Sequence, residues 1–339
     1  HFWHAICTVL TEPQNRPPIL VFMKHIKRNQ MAFKINIITV ALALITTLGA
    51  AQESEFALDV EFRNQLLYAQ IPSAGGMLSF LANTTGGAFV CESAMQEHAL
   101  PGIVDDSGNA FVKINEVLEL GALPTLQRNS ALVLPDAQAN LDEGVHGTLG
   151  QAWFGQYCWT FDFRAQELLC HSPALSPLEP NVIPVTFKES ASGHRISSLP
   201  RINIEVDGEP IPVLIDSGAK MIPTEGAAAV LGSIGKEPVA VSYIVESLFE
   251  QWQQLHPDWK VVERADAQLG NVRMIEVPQV VIAGQKAGPV WFCSRPDANY
   301  VQYYSRLCGG EVEGAIGGNA LQFFRVTLDY PNKLARFDQ

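Results

Sequence analysis

Two stretches of this chain, 167 residues apart, carry the same pattern. Gly147-Thr148-Leu149-Gly150 is followed twelve residues on by Asp162, within Trp159-Thr160-Phe161-Asp162-Phe163. Gly314-Ala315-Ile316-Gly317 is followed at the same spacing by Asp329, within Val326-Thr327-Leu328-Asp329-Tyr330. Thr160 and Thr327 fall in register, and apolar residues flank both aspartates. A repeat of this size predicts one chain folded as two similar lobes. Each lobe should then contribute one copy of any site that the two share.

Composition narrows the class. The chain has 339 residues and is 47% hydrophobic, which is ample for two cores. Its 26 glycines and 21 prolines suit a loop-rich, mostly β protein. A net charge of −12 without a basic patch argues against nucleic acid as a partner.

The N-terminal segment reads as an export signal. The chain begins at His1, and Met23 or Met31 fits as the start, so residues 1–30 read as an upstream extension or a basic leader region. Lys24, Lys27, Arg28 and Lys34 precede an apolar run from Ile37 to Leu48, and Gly49-Ala50-Ala51 supplies a small-residue cleavage site. Residues 31–51 are therefore expected to be a signal peptide, with the mature protein periplasmic or secreted and not inserted in a membrane. The apolar run is well short of the roughly 20 residues that a span needs.

Export permits disulfides. Beyond the signal lie Cys91, Cys158, Cys170, Cys293 and Cys308, an odd number. Connectivity is not readable, but proximity along the chain favours Cys158 with Cys170 and Cys293 with Cys308. No CxxC spacing and no histidine cluster accompanies them, so neither a metal nor a cofactor is expected. A monomer is expected.

Residues 53–171 form the first expected lobe, the proline-punctuated stretch 172–199 a linker, and 200–339 the second lobe. Each lobe opens with an expected hairpin: Leu66 to Ile71 turning at Gly75-Gly76 into Met77 to Leu81, and Ile202 to Val206 turning at Asp207-Gly208 into Pro212 to Ile215. A helix is expected over 241–256, where Val241, Val245, Leu248, Phe249, Trp252 and Leu255 recur at helical spacing before His256-Pro257.

The sharpest motif is Val213-Leu214-Ile215 running into Asp216-Ser217-Gly218. A buried strand ends there in a carboxylate at a tight turn. By itself Asp-Ser-Gly is an ordinary turn sequence. With the apolar strand before it and Ala315-Ile316-Gly317 about 100 residues on, the second lobe resembles the pepsin- and retropepsin-like aspartic peptidases. That resemblance implies a mostly β, bilobal fold of two similar β-barrel lobes around a cleft, with an extended peptide or polypeptide as ligand. It also implies one Asp-Ser/Thr-Gly loop from each lobe, the two carboxylates sharing a proton. Asp216, Ser217 and Gly218 match one loop, and the hydroxyl of Ser217 is expected to brace it against its twin.

The first lobe departs from the pattern. Its matching stretch is Asn83-Thr84-Thr85-Gly86. A shift of 132 pairs Gly86 with Gly218 and Thr85 with Ser217, leaving Thr84 opposite Asp216. A shift of 133 puts Asn83 opposite Asp216 and gives up the glycine. The first is preferred, because glycine carries the strictest backbone demand. Either way the first carboxylate is missing, and Asp216 should titrate as an ordinary carboxylate apart from burial and hydrogen bonding. Asp106-Ser107-Gly108 is a second Asp-Ser-Gly, but no apolar strand precedes it. It reads as the turn of a substrate-covering flap, with Phe111-Val112-Lys113-Ile114 returning. Asp162 and Asp329 are expected to be structural. Gly147, Gly150, Gly314 and Gly317 are read as structural glycines.

Three functions compete: a pseudo-peptidase that binds extended peptide, an active peptidase with Asp216 and an atypical partner, and a structural or inhibitor-like module. Serine and cysteine hydrolase motifs are absent from the sequence.

Overall fold

The structure, a computed structural model, describes residues 56–120, 125–126, 129–172, 175–233 and 237–339. The upstream extension, the signal segment, Cys7 and Pro173 lie outside the described residues.

Two large sheets share one plan. In the first lobe the strands run in the order Val60–Arg63, Leu66–Ser73, Gly76–Ala82, Gly147–Leu149, Phe89–Cys91, Ala131–Leu134, Ala110–Val112 and Gly102–Val104. In the second lobe the central order is Arg201–Val206, Glu209–Ile215, Gly314–Ile316, Ser242–Val245, Val290–Arg295, Met274–Val277 and Val261–Val262. The hand of pairing matches strand for strand. Gly76–Ala82 is parallel to Gly147–Leu149, as Glu209–Ile215 is to Gly314–Ile316. Phe89–Cys91 is parallel to Ala131–Leu134, as Ser242–Val245 is to Val290–Arg295. The remaining matched neighbours are antiparallel in both lobes.

A third sheet joins the lobes. Its order is Phe56–Leu58, Glu167–His171, Cys158–Asp162, Arg325–Asp329, Leu334–Asp338 and Val182–Pro184. The repeated segments meet at its centre, where Thr160 pairs with Thr327 and their hydroxyl oxygens are 2.8 Å apart. The pseudo-twofold axis passes between these two residues. Asp162 accepts from the backbone N–H groups of Arg164 and Ala165 at 3.1 and 2.9 Å, closing its hairpin turn. Asp329 holds Asn332 and Leu175 in the same manner. These two aspartates therefore shape turns. Segment 182–184, expected as linker, adds an edge strand to this sheet.

The chain has a mostly β, bilobal fold, carried by the duplicated sheet order and the shared sheet. Neither lobe is a closed barrel, contrary to expectation. Each sheet is open and ends in short edge strands, Gly102–Val104 and Val60–Arg63 in the first lobe and Val261–Val262 and Gln285–Ala287 in the second.

Two further expectations are corrected. The helix begins at Glu246 and runs to Leu255, while Ser242–Val245 is a strand held between two neighbours. An apolar run reads alike for a buried strand and a buried helix face, and here pairing decides. No disulfide joins the expected cysteine pairs. Cys158 pairs with His171 and Trp159 with Cys170, so Cys158 and Cys170 project from opposite faces of the sheet. Cys293 Sγ packs against Met221 Sδ at 3.4 Å, whereas Cys308 belongs to a different buried cluster with Leu199, Leu214 and Val312.

Candidate functional site

Each lobe's second hairpin strand drives its loop to the lobe boundary. Gly76–Ala82 ends just before Asn83, and Glu209–Ile215 just before Asp216. Strand register decides the alignment of the two loops. Phe80 and Val213 each face the first glycine of the repeat, Gly147 and Gly314. Ala82 therefore matches Ile215, and Asn83 matches Asp216. This is the shift of 133, not the preferred 132. Gly208 matches Gly75, and Thr85 stands where the second loop has Gly218.

The cross-lobe brace obeys the same register. Thr84 N–H donates to Ser217 Oγ at 3.1 Å, and Ser217 N–H donates to Thr84 Oγ1 at 3.1 Å. Thr84 Oγ1 donates to Ile215 O at 2.6 Å, and Ser217 Oγ donates to Ala82 O at 2.7 Å. All four contacts are buried and related by the pseudo-twofold. Thr84, not Thr85, is the bracing residue of the first lobe.

The glycine elements explain the tight fit behind the loops. A Cβ on Gly147 would lie 2.2 Å from Phe89 O, and one on Gly314 the same distance from Tyr243 O. At Gly150 and Gly317 it would meet Gly86 O at 2.2 Å and Val241 O at 2.0 Å. Only glycine admits backbone approach this close.

Asn83 and Asp216 differ in their surroundings. Asn83 Oδ1 accepts from Thr85 N–H at 3.0 Å, Gly86 N–H at 2.9 Å and the Thr85 hydroxyl at 3.1 Å. Asp216 Oδ1 accepts from Gly218 N–H at 3.1 Å. Burial raises this carboxyl to about 6, with the polar groups of Thr85 and Gly218 nearby offsetting part of the rise. Burial thus moves Asp216 well away from an ordinary carboxylate. Among the described residues, no second carboxylate is hydrogen-bonded to it.

Tyrosines from the second lobe lie within electrostatic range of Asp216: Tyr243, Tyr300 and Tyr304. The Arg295 guanidinium sits 4.1 Å from the Tyr243 ring centre. No motif marked these residues, because they come from strands and a helix far along the chain.

Asp106, Ser107 and Gly108 lie in the exposed turn between Gly102–Val104 and Ala110–Val112. Asp105, not Asp106, organises that turn, accepting from Ser107 and Asn109 N–H at 2.9 and 2.8 Å. Asp142 bridges the two lobes. It crosses to the second lobe, pairing with Lys220 Nζ at 2.5 Å and accepting from the Tyr68 hydroxyl at 2.5 Å. This network borders a cavity of about 640 Å³ that Arg63, Glu143, Tyr243 and Arg295 also line. The cavity reaches neither Asp216 nor Asn83.

Comparison with known proteins gives only a slight likeness. No family model matches the chain, and no curated protein does. Among solved structures, edgp is similar at 13% identity and a TM-score of 0.42, over 84% of this chain and 94% of that one. Conglutin gamma, a basic 7S globulin from lupine seeds, is similar at 11% identity and a TM-score of 0.41, over 85% and 95%. Basic 7S globulin from soybean is similar at 10% identity and a TM-score of 0.43, over 84% and 94%. Likeness this slight carries no function.

Proposed function

We propose that this protein is a non-catalytic member of the aspartic-peptidase fold that is exported and holds an extended peptide in the cleft between its lobes as a monomer. One observation carries the non-catalytic part: Asn83 stands opposite Asp216. An amide neither takes nor gives a proton near neutral pH. Without a second carboxylate there is no shared proton, and no pair in which one member acts as acid and the other as base. Loss of one positioned acid–base group costs on the order of 100- to 10,000-fold in rate.

Peptide binding is supported by the exposed hairpin at 102–112, which matches the position of a flap, and by the open edges of both sheets. Export is supported by the signal pattern at 31–51.

Acid-pH incubation with denatured protein tests the reading. No cleavage above that of Asp216→Asn is expected between pH 3 and pH 6. Cleavage that pepstatin blocks and Asp216→Ala abolishes would establish an active peptidase instead. A labelled peptide library tests the binding half. Binding weakened by changes near Gly108 is expected, whereas binding indifferent to the hairpin would move the function to another surface.

A further inference from the structure

Two arginines, one from each lobe, line the cavity that the Asp142–Lys220 bridge borders. Arg63 ends the edge strand Val60–Arg63 of the first lobe, and Arg295 ends Val290–Arg295 of the second. Each guanidinium lies over a tyrosine ring: Arg63 is 4.0 Å from the Tyr68 ring centre, and Arg295 is 4.1 Å from that of Tyr243. Both tyrosine hydroxyls are tied to the same bridge. Tyr68 donates to Asp142 Oδ2 at 2.5 Å. Tyr243 donates to Lys220 O at 2.5 Å and accepts from Lys220 N–H at 3.0 Å. The two stacks are therefore parts of one network that crosses the lobes.

The inner acceptors of this network are taken, while several donors are spare. Asp142 gives one oxygen to Lys220 and the other to Tyr68. Asp266, 3% exposed, accepts from Gln268 and Leu269 N–H on Oδ1 at 2.9 and 3.3 Å. Arg295 donates to Ser294 O at 3.2 Å, and its other terminal nitrogen is 3.9 Å from Asp266 Oδ2, beyond hydrogen-bond reach. Arg63 pairs through Nε with Glu61 at 3.1 Å, and no acceptor among the described residues bonds its two terminal nitrogens. A guanidinium donates within its own plane, so a ring beneath it leaves those N–H groups accessible at the edge.

We infer that this cavity binds a carboxylate-bearing ligand, whose oxygens take the spare N–H groups of Arg63 and Arg295. Guanidinium and carboxylate match as two parallel N–H···O bonds. A singly charged group suits the site better than a phosphate. The lining sets three cations, Arg63, Lys220 and Arg295, against four acids, Asp142, Glu143, Glu237 and Asp266. Glu143 and Glu237 are exposed, where water screens them. A second negative charge on the ligand would meet these acids without gaining another cation. At about 640 Å³ the cavity has room for more than the carboxylate itself, so a peptide C-terminus and a small organic acid both present the required chemistry. The site is separate from Asp216 and Asn83, which the cavity does not reach, so it does not depend on the pseudo-peptidase reading.

Calorimetric titration of the intact protein with acetyl-trialanine at neutral pH tests this. The free acid should bind, and its C-terminal amide, equal in shape but uncharged, should bind at least about 10-fold more weakly. Arg63→Gln and Arg295→Lys should each weaken the free acid by about 10- to 100-fold, the first by removing charge and the second by removing the fork. Lys286→Gln, an exposed cation outside the cavity, should leave the affinity unchanged. Propionate separates the two sources: competition with acetyl-trialanine assigns the site to carboxylates in general, and none assigns it to a peptide C-terminus. Equal binding of acid and amide, no binding of the free acid at millimolar concentration, or an equal loss in Lys286→Gln would overturn the inference. Affinity unmoved in Arg63→Gln would do the same, and that exposed-edge variant decides the matter even if Arg295→Lys does not fold. Peptide cleavage or cleft binding, tested above, can fail without touching any of these readouts.

Discussion

The loops at Asn83 and Asp216 occupy matched places and make the same brace, yet only one carries an acid. Thr84 and Ser217 exchange hydrogen bonds so evenly that the brace alone does not tell the lobes apart. The residue before each bracing hydroxyl does: an amide in one lobe, a carboxylate in the other. The residue after it differs as well, threonine against glycine. Assembly of the lobe interface needs the hydroxyls and the backbone beside them. Acid–base chemistry needs the carboxylates. These are separate demands on adjacent positions, and the first lobe meets only one.

Breaking the brace should have the largest effect. Ser217→Ala leaves Ala82 O and Thr84 N–H buried without their partner, and should cost about 3–4 kcal/mol in denaturant unfolding. Thr84→Val should cost a similar amount. The double variant should fall short of the sum by more than about 1 kcal/mol, because the two hydroxyls share one network. Additive costs would mean that the brace is not a unit.

Making the loops alike should have the opposite sign. Asp216→Asn removes a carboxyl whose folded-state value, about 6, lies above its unfolded value of 3.8. The folded state therefore holds its proton more tightly, and stability declines as pH rises from about 4 to about 6. Above that window the ionised, buried carboxylate costs on the order of 2–3 kcal/mol. Asp216→Asn should recover most of this at pH 7 and nothing at pH 3. Equal gains at both values would rule out ionisation as the cause.

A third comparison concerns space. Gly218→Ala drives a methyl group into Asn83 and should destabilise by about 1–3 kcal/mol. Combining it with Asn83→Ala should relieve part of that cost. The smallest effect is expected on the axis, where Thr327→Val removes one partner of the Thr160 hydroxyl. His171 also hydrogen-bonds Thr160, so the loss should be about 1 kcal/mol by thermal melting.

Much of this is legible in the amino-acid sequence. The spaced Gly and Asp elements implied two lobes, and those segments do pair across the axis. The hairpins, the turn at Asp105 to Asn109 and the missing first carboxylate are also visible there. The alignment by glycine was misleading, because Gly86 and Gly218 are the nearest matching letters but not equivalent positions. Strand pairing at Gly147 and Gly314 settles the offset, and pairing is not written in local sequence. The helix boundary near Glu246 failed for the same reason. The cysteine pairs failed because proximity along a chain says nothing about which face of a sheet a side chain leaves.

By itself the amino-acid order determined the duplication, the apolar strand feeding Asp216, and the absence of its twin. These are properties of spacing and residue type, which survive without geometry. Tertiary structure alone decided that Asn83 is the residue opposite and that Thr84 carries the brace. It also raised Asp216, since desolvation depends on what the rest of the chain brings near a carboxyl. Each of these follows from contacts between residues far apart along the chain, where only the folded chain sets the distance.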